Sequence, residues 1–186
     1  PNLTWRDVKY ILAETADKND PTDPSWQTNA ASYETNYYYG FGRVNASAAV
    51  ALAKTWTNVT PEITAGPYTP FSSPSIAIPD GSGTRSGPSL TNPSYGTSAS
   101  KNIGTQAEQI QFVETVEVEI DVTHDSLGDL AFALESPEGT FSTLSLPRRF
   151  DTSSGNITLE MSSKDFWGET ALGNWKLYVY DGYSGQ

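Results

Sequence analysis

The first part of the chain carries its apolar residues at helical spacing. Val8, Ile11 and Leu12 fall on one face of a helix. Thr4 has the side chain of an N-cap, and Asp7 follows three residues later, where a capping box places an acceptor. The pattern predicts a helix that starts just after Thr4 and whose apolar stripe needs another surface to pack against.

A second helix is predicted to start near Asn45 and to run through the stretch ASAAVALAKTW, whose alanines allow a neighbouring element to come close. Between the helices, two Asp-Pro pairs interrupt the helical pattern and predict an acidic loop. Residues 1–56 are thus predicted to be helical outside this loop. Two such helices bury too little apolar surface for an independent domain, so we expect residues 1–57 to be the end of a larger one.

From residue 58 the pattern changes to that of strands. A proline-rich connector comes first. From Val116 onward, apolar and polar residues alternate with a period of two, which predicts a half-buried strand. Further strands are predicted at close spacing, in the stretches DLAFALE, TFSTLSLP, NITLEMSS and WKLYVYD. This succession is typical of a β-sandwich. Residues 81–105, rich in Gly, Ser and Thr, are predicted to form a loop.

Composition agrees with a mainly β protein and excludes several functional classes. Eleven basic residues against 22 acidic ones give a formal net charge of −11, and such a surface repels nucleic acid and anionic membranes. No cysteine is present, which excludes a disulfide scaffold. No apolar run approaches the ~20 residues of a membrane span. We therefore expect neither a nucleic-acid nor a membrane partner.

Two groups of motifs resemble the kexin/furin-like subtilisin serine proteases. The stretch PNLTWRDVKYILAETADKND, followed by YGFGRVNASAAVALAKTW, resembles the end of their catalytic domain. The stretch HDSLGDLAFALESPEGTFSTL, followed by FWGETALGNWKLYVYD, resembles the P domain (homo B domain) that comes next in those enzymes. The resemblance implies a mainly β chain: a jelly-roll β-sandwich over residues 58–186, preceded by a helical remnant, residues 1–57, of a subtilisin-like α/β domain.

The same resemblance implies a function for the parent protein. We expect a secreted, kexin-like subtilisin endopeptidase whose P domain stabilises the catalytic domain. Its partners are then its own upstream catalytic domain and a peptide or protein substrate. The catalytic Asp, His and Ser are expected upstream of Pro1, so residues 1–186 alone should be inactive. Leu127 stands where many relatives have arginine. We also expect both ends of the chain to be cuts, with the last strand of the family's sandwich missing.

Ser98, in the stretch YGTSAS, has the spelling of a subtilisin nucleophile. In a subtilisin, however, that serine opens a helix and precedes the segment that resembles PNLTWRDV, whereas here the segment lies at residue 1. Ser98 is therefore expected to be a loop residue without a catalytic role. His124 is the single histidine, and we expect its ring to bond turn carbonyls or carboxylates rather than to act as a base.

Calcium is the cofactor that this acidic composition favours, since it binds six to eight hard oxygen atoms. The candidate ligands are Asp129, in Gly-Asp-Leu, and Asp125 in the same turn; capping of the turn is the alternative role for Asp129. A second acidic group, which we expect to be a solvated loop, comprises Asp17, Asn19, Asp20 and Asp23. Other carboxylates at strand ends are Asp151, Asp165 and Asp181.

A binding module for protein or carbohydrate is the alternative function. Its candidate feature is a set of aromatic residues that could stack against sugars: Phe166, Trp167, Trp175, Tyr178 and Tyr180. Ordinary core packing of a small sandwich would also require such residues. The helical start of the chain argues against a free-standing module. The dibasic pair Arg148 and Arg149 is expected to bond acidic residues rather than to be a cleavage site.

Overall fold

The computed structural model of the protein describes five stretches of the chain: 2–68, 75–79, 97–104, 110–148 and 150–182. The chain divides into two compact units, which we call the first unit (Pro1–Thr64) and the second unit (Ala65–Gln186). The boundary expected from the sequence, between residues 57 and 58, falls inside the first unit.

Both predicted helices are present in the first unit. Helix α1 spans Trp5–Glu14 and helix α2 spans Ala46–Ala53. The predicted capping box at α1 is confirmed, because the Asp7 N–H donates to Thr4 Oγ1 over 3.2 Å and the Thr4 N–H donates to the Asp7 carboxylate over 2.6 Å. Asn45 caps α2 by accepting a hydrogen bond from the N–H of Ala48, which leaves fewer unsatisfied donors at the helix start.

The first unit also contains a hairpin that the helical prediction missed. Strand β1 (Trp26–Thr28) pairs antiparallel with strand β2 (Glu34–Asn36). The Asn29 side chain accepts a hydrogen bond from the N–H of Tyr33 and holds the turn between them. Strand β1 lies within the predicted acidic loop, but β2 lies where helix was predicted. That prediction was wrong because a strand of three residues is too short to produce a period-two pattern.

The second unit is a β-sandwich, as predicted. One sheet has four antiparallel strands in the order β3-β8-β5-β6, and the other pairs β4 with β7. Buried residues of both sheets form one hydrophobic cluster, with Leu130, Phe166 and Phe132 at its most buried positions. The strands are β3 (Thr97–Ile103), β4 (Val116–His124), β5 (Leu130–Glu135), β6 (Phe141–Ser145), β7 (Gly155–Ser163) and β8 (Gly173–Asp181).

The outward face of the β4–β7 pair is acidic. Apolar residues of both strands point to the core and exposed polar ones point away, as the period of two requires. In the register of this pair, Glu119 lies directly opposite Glu160, and both are exposed. Like charges at directly opposed positions destabilise a strand pair. The register is therefore held by the apolar side of the pair against this repulsion.

Strand β3 corrects the predicted loop over residues 81–105. Residues 97–103 pair along their whole length with β8, and Ser98 lies opposite Tyr178. The expectation that Ser98 is a loop residue was wrong. Polar and small residues have weak strand propensity, but pairing with a central strand and burial of Ile103 override it. The remaining residues of the predicted loop, apart from residue 104, lie outside the described stretches.

Candidate functional site

The turn after β4 brings His124 against Asp181 at the end of β8. The His124 Nε2 atom lies 3.6 Å from Asp181 Oδ2, and the Asp181 carboxylate is almost fully buried. On its other side the ring meets the backbone of Ser126, whose N–H lies 3.1 Å from Nδ1. The Ser126 carbonyl oxygen lies 2.9 Å from the same nitrogen, so the ring is held by the backbone of the turn and faces the Asp181 carboxylate. The predicted bonding of this ring to turn backbone and carboxylate is confirmed.

Arg148 and Asp151 close the loop that follows β6. The guanidinium Nε and Nη2 atoms donate to Asp151 Oδ2 over 3.0 and 2.7 Å. Ser153 donates to the other carboxylate oxygen through its N–H and its hydroxyl. These bonds, from Ser153 first and Arg148 next, lower the pKa of Asp151 to about 2. The predicted pairing of Arg148 with an acidic residue is confirmed, while Arg149 lies outside the described stretches.

Gly128 fixes this loop against the Gly-Asp-Leu turn. A Cβ atom at this position would lie 2.0 Å from the carbonyl oxygen of Asp151 and 2.8 Å from that of Arg148. The Arg148 N–H also donates to the Gly128 carbonyl over 2.6 Å. Only a residue without a side chain allows this approach. The turn Leu127–Asp129 and the loop at 148–151 therefore act as one rigid end of the sandwich.

The two candidate calcium ligands both lie in the turn after β4, but their side chains differ in burial. Asp125 is exposed, whereas Asp129 is partly buried and uses its backbone to bond Ser126 and Gly182. Within the described stretches, no three acidic or histidine side chains gather closely enough to hold a metal ion. Calcium needs six to eight oxygen ligands, of which two carboxylates supply only a part. Calcium binding by Asp125 and Asp129 therefore stays a prediction.

The aromatic residues proposed as a sugar platform do not form an exposed surface. Phe166, Trp167, Trp175 and Tyr180 are buried, and the rings of Phe166 and Trp175 meet edge to face in the core at 4.9 Å. Tyr178 is half-buried, and its hydroxyl donates to the Glu135 carboxylate over 2.6 Å. Burial and this bond raise the pKa of Tyr178 to about 12. Most of the set therefore serves packing.

Asp7 has a larger role in the structure than its predicted place in a capping box. Its carboxylate is fully buried and accepts five hydrogen bonds. Oδ2 accepts from the N–H and the hydroxyl of Thr4, both at 2.6 Å, and from Asn58 Nδ2 at 2.9 Å. Oδ1 accepts from Trp56 Nε1 at 3.0 Å and from the N–H of Val59 at 2.7 Å.

The electrostatics of Asp7 follow from these bonds. Burial by itself raises the pKa of a carboxyl group, but hydrogen bonds from Thr4, Val59 and Trp56 outweigh that effect and hold the pKa of Asp7 well below its usual range. The group is therefore a charged carboxylate at neutral pH. Sequence reasoning missed this cluster because three of the five donors, on Trp56, Asn58 and Val59, lie about fifty residues further along the chain, and no local pattern links them to Asp7.

The helices of the first unit leave apolar side chains uncovered. Helix α2 buries only Ala49 among its residues, and Val50 is 59% exposed. On α1, Trp5 is 58% exposed and Val8 is 42% exposed. Val8 belongs to the stripe that was predicted to need another packing surface. Exposed apolar residues grouped on neighbouring helices are typical of a surface that another body covers.

Comparison with known proteins shows which family the chain is related to. Residues 113–186 match the family model described as "Proprotein convertase P-domain". The chain is 36% identical over 182 residues to "Proprotein convertase subtilisin/kexin type 5" of Rattus norvegicus, with 97% of this chain aligned. The chain belongs to the kexin/furin-like subtilisin family. It is also 32% identical to "Protease KEX1" of Kluyveromyces lactis, over 180 residues and 96% of the chain.

A solved protease structure also resembles the whole chain. The serine protease of Aeromonas sobria superposes with a TM-score of 0.75 at 25% identity, over 100% of this chain. The chain spans only part of the proteins that it matches: 10% of the rat convertase, 22% of the Kluyveromyces protease and 34% of the Aeromonas chain. The P-domain match covers β4 to β8 and therefore the rigid end around Gly128.

No helix within the described stretches is both long and apolar enough to cross a membrane.

Proposed function

We propose that this chain is the C-terminal part of a secreted, kexin-like subtilisin serine endopeptidase, in which the P domain stabilises the catalytic domain. The observation that carries the proposal is the contrast between the closed core of the second unit and the uncovered helices of the first. The alignment of 96–97% of the chain with convertases and kexin supports it.

In this proposal the exposed apolar side chains of α1 and α2 are covered by a catalytic domain that precedes them in the chain. Covering a valine or tryptophan side chain contributes about 1.5–3 kcal/mol per residue. Trp5, Val8 and Val50 together offer enough apolar surface to hold the first unit within such a body. In this proposal residues 1–57 complete the catalytic domain, and they also attach it to the P domain through the connector. The attachment keeps the P domain at a high effective concentration beside its partner.

The chemistry of the proposed enzyme belongs to residues upstream of Pro1. Acyl transfer from a peptide bond needs a nucleophile, a base and an orienting carboxylate within hydrogen-bond reach. None of the contacts described for His124 involves Ser98, which lies on strand β3. We assign neither residue to catalysis. Calcium binding by Asp125 and Asp129 remains a proposal, and no step of the reaction is assigned to the ion.

Removal of the P domain tests the proposal. The full-length protein and a form that ends after Thr60 would be compared for thermal unfolding and for hydrolysis of a peptide substrate. A form that ends after Thr60 retains residues 56–60, including Trp56 and Val59, which donate hydrogen bonds to Asp7 on α1. We expect the shortened form to unfold at lower temperature and to lose activity in parallel.

Two controls make the comparison decisive. The P domain supplied as a separate chain should restore part of the stability, at a concentration that exceeds the effective concentration of the tethered form. A shortened protein that is as stable and as active as the full-length one would overturn the stabilising role. Secretion would be checked by locating the full-length protein in culture medium and in cell extract.

A further inference from the structure

The segment that follows α2 does not leave the first unit where the helix ends. Helix α2 ends at Ala53, but Trp56, Asn58 and Val59 all donate hydrogen bonds to the Asp7 carboxylate. Two further bonds reinforce this arrangement: Asn58 Nδ2 donates to the Asn2 carbonyl, and Arg6 donates to the Thr60 carbonyl. Residues at the start of α1 therefore hold Trp56 and residues 58–60 by hydrogen bonds.

We infer that Asp7 is a latch that fixes the start of the connector, so that the chain is held to the first unit as far as Thr60 and not only to the end of α2. The inference concerns the role of a buried carboxylate that neither the family match nor the fold assigns, and it deepens the proposed function without depending on it. The latch is contained in the first unit.

Charge is essential to this arrangement. Five donors converge on two oxygen atoms, and an ionised carboxylate is the side chain that accepts at all of these positions. An amide of the same shape would place its NH₂ group against at least two of the donors. Buried donors left without an acceptor are costly. Asp7→Asn therefore removes the latch with little change in volume.

The length of the tether depends on the latch. Release of residues 56–60 would lengthen the free connector by about five residues, and effective concentration falls with tether length. For a P domain that acts on the domain to which it is tethered, Asp7 thus sets how firmly the two are coupled. It acts through the connector, as a positioning residue, and touches no reacting group.

Hydrogen exchange in the full-length protein tests the latch. In Asp7→Asn we expect the backbone amide of Val59 and the indole N–H of Trp56, within residues 56–60, to exchange about tenfold faster or more, since local opening then no longer breaks their bonds to a charge. Asp20→Asn is the matched control, because the exposed Asp20 carboxylate bonds only to Thr22 among its described contacts. The control should leave exchange at residues 56–60 unchanged.

Milder variants keep the test valid if Asp7→Asn fails to fold. Trp56→Phe removes one donor and keeps the ring beside Tyr10, and Asn58→Ala removes another. Each should raise exchange of residues 56–60 by about fivefold. Unchanged exchange in these variants would overturn the latch.

Stability measurements separate this inference from the proposed function. A faster exchange in Asp7→Asn, with no effect of P-domain removal on the protease, would sustain the latch and refute the stabilising P domain. If residues 56–60 of Asp7→Asn exchange at the wild-type rate while P-domain removal strongly affects the protease, the latch is refuted and the stabilising P domain is sustained.

Discussion

The two units of the chain bury their interiors in opposite ways. The second unit closes an apolar core between two sheets, with Phe132 and Leu130 fully covered. In the first unit the most deeply buried side chain is a carboxylate, Asp7, while Val50 and Trp5 remain exposed. Compactness therefore has two sources here: hydrophobic burial in the sandwich, and a hydrogen-bond network around a charged carboxylate at the start of α1.

The largest expected effect falls on the apolar core. Phe132→Ala should lower the free energy of unfolding of the second unit by about 4 kcal/mol, since it removes a large buried ring and leaves a cavity. Phe112→Ala is the control, because Phe112 is exposed, and it should change stability by less than about 0.5 kcal/mol. Urea unfolding followed through exchange of β5 and β8 measures both. Equal effects would contradict the assigned core.

Gly128→Ala should come next, at about 2–3 kcal/mol, because overpacking at a rigid turn forces the backbone apart. The added methyl group would meet the Asp151 carbonyl at 2.0 Å. Gly104→Ala offers a matched comparison, since its Cβ would meet nothing closer than 3.8 Å. Thermal unfolding of the second unit is the measurement. A stable Gly128→Ala protein would mean that the turn and the loop can separate.

Acid should loosen the first unit through Asp7. The folded state lowers the pKa of this group, so its stabilising contribution is complete above the unfolded value near about 3.9 and is lost as pH falls toward the folded value. Exchange of residues 56–60, corrected for its intrinsic pH dependence, should therefore accelerate below about pH 4. In Asp7→Asn this acceleration should vanish. Asp151→Asn should leave it intact, since that residue belongs to the second unit.

Val50→Ser probes the uncovered helix face. In the 186-residue chain we expect a change of less than about 0.5 kcal/mol, because the side chain is already in water. In the full-length protein the same change should cost about 2 kcal/mol, if an upstream body covers this position. Glu62→Gln, at an exposed position, is the control. A full-length protein that tolerates Val50→Ser as well as the short chain does would argue against that cover.

Calcium should give the smallest effect. If Asp125 and Asp129 bind the ion, calcium at ten times its dissociation constant stabilises the second unit by about 1.4 kcal/mol. Asp129→Asn should abolish this gain, which differential scanning fluorimetry can measure. No shift in the wild-type protein at millimolar calcium would refute the prediction.

Sequence reasoning predicted the features that local patterns encode. The cap at Thr4, the start of the second helix near Asn45, the period-two strand from Val116 and the order of the later strands all follow from neighbouring residues. The strand containing Ser98 escaped because its residues have little strand propensity, and pairing with β8 decides its conformation. The role of Asp7 escaped for the same reason: its partners at 56–59 meet it only in the folded unit.

The facing glutamates of the β4–β7 pair have a consequence for the medium in which the protein works. Glu119 and Glu160 repel each other across an exposed ribbon, and dissolved ions shorten the range of that repulsion to about 8 Å at physiological strength and about 3 Å at 1 M. Salt should therefore tighten this ribbon instead of weakening it.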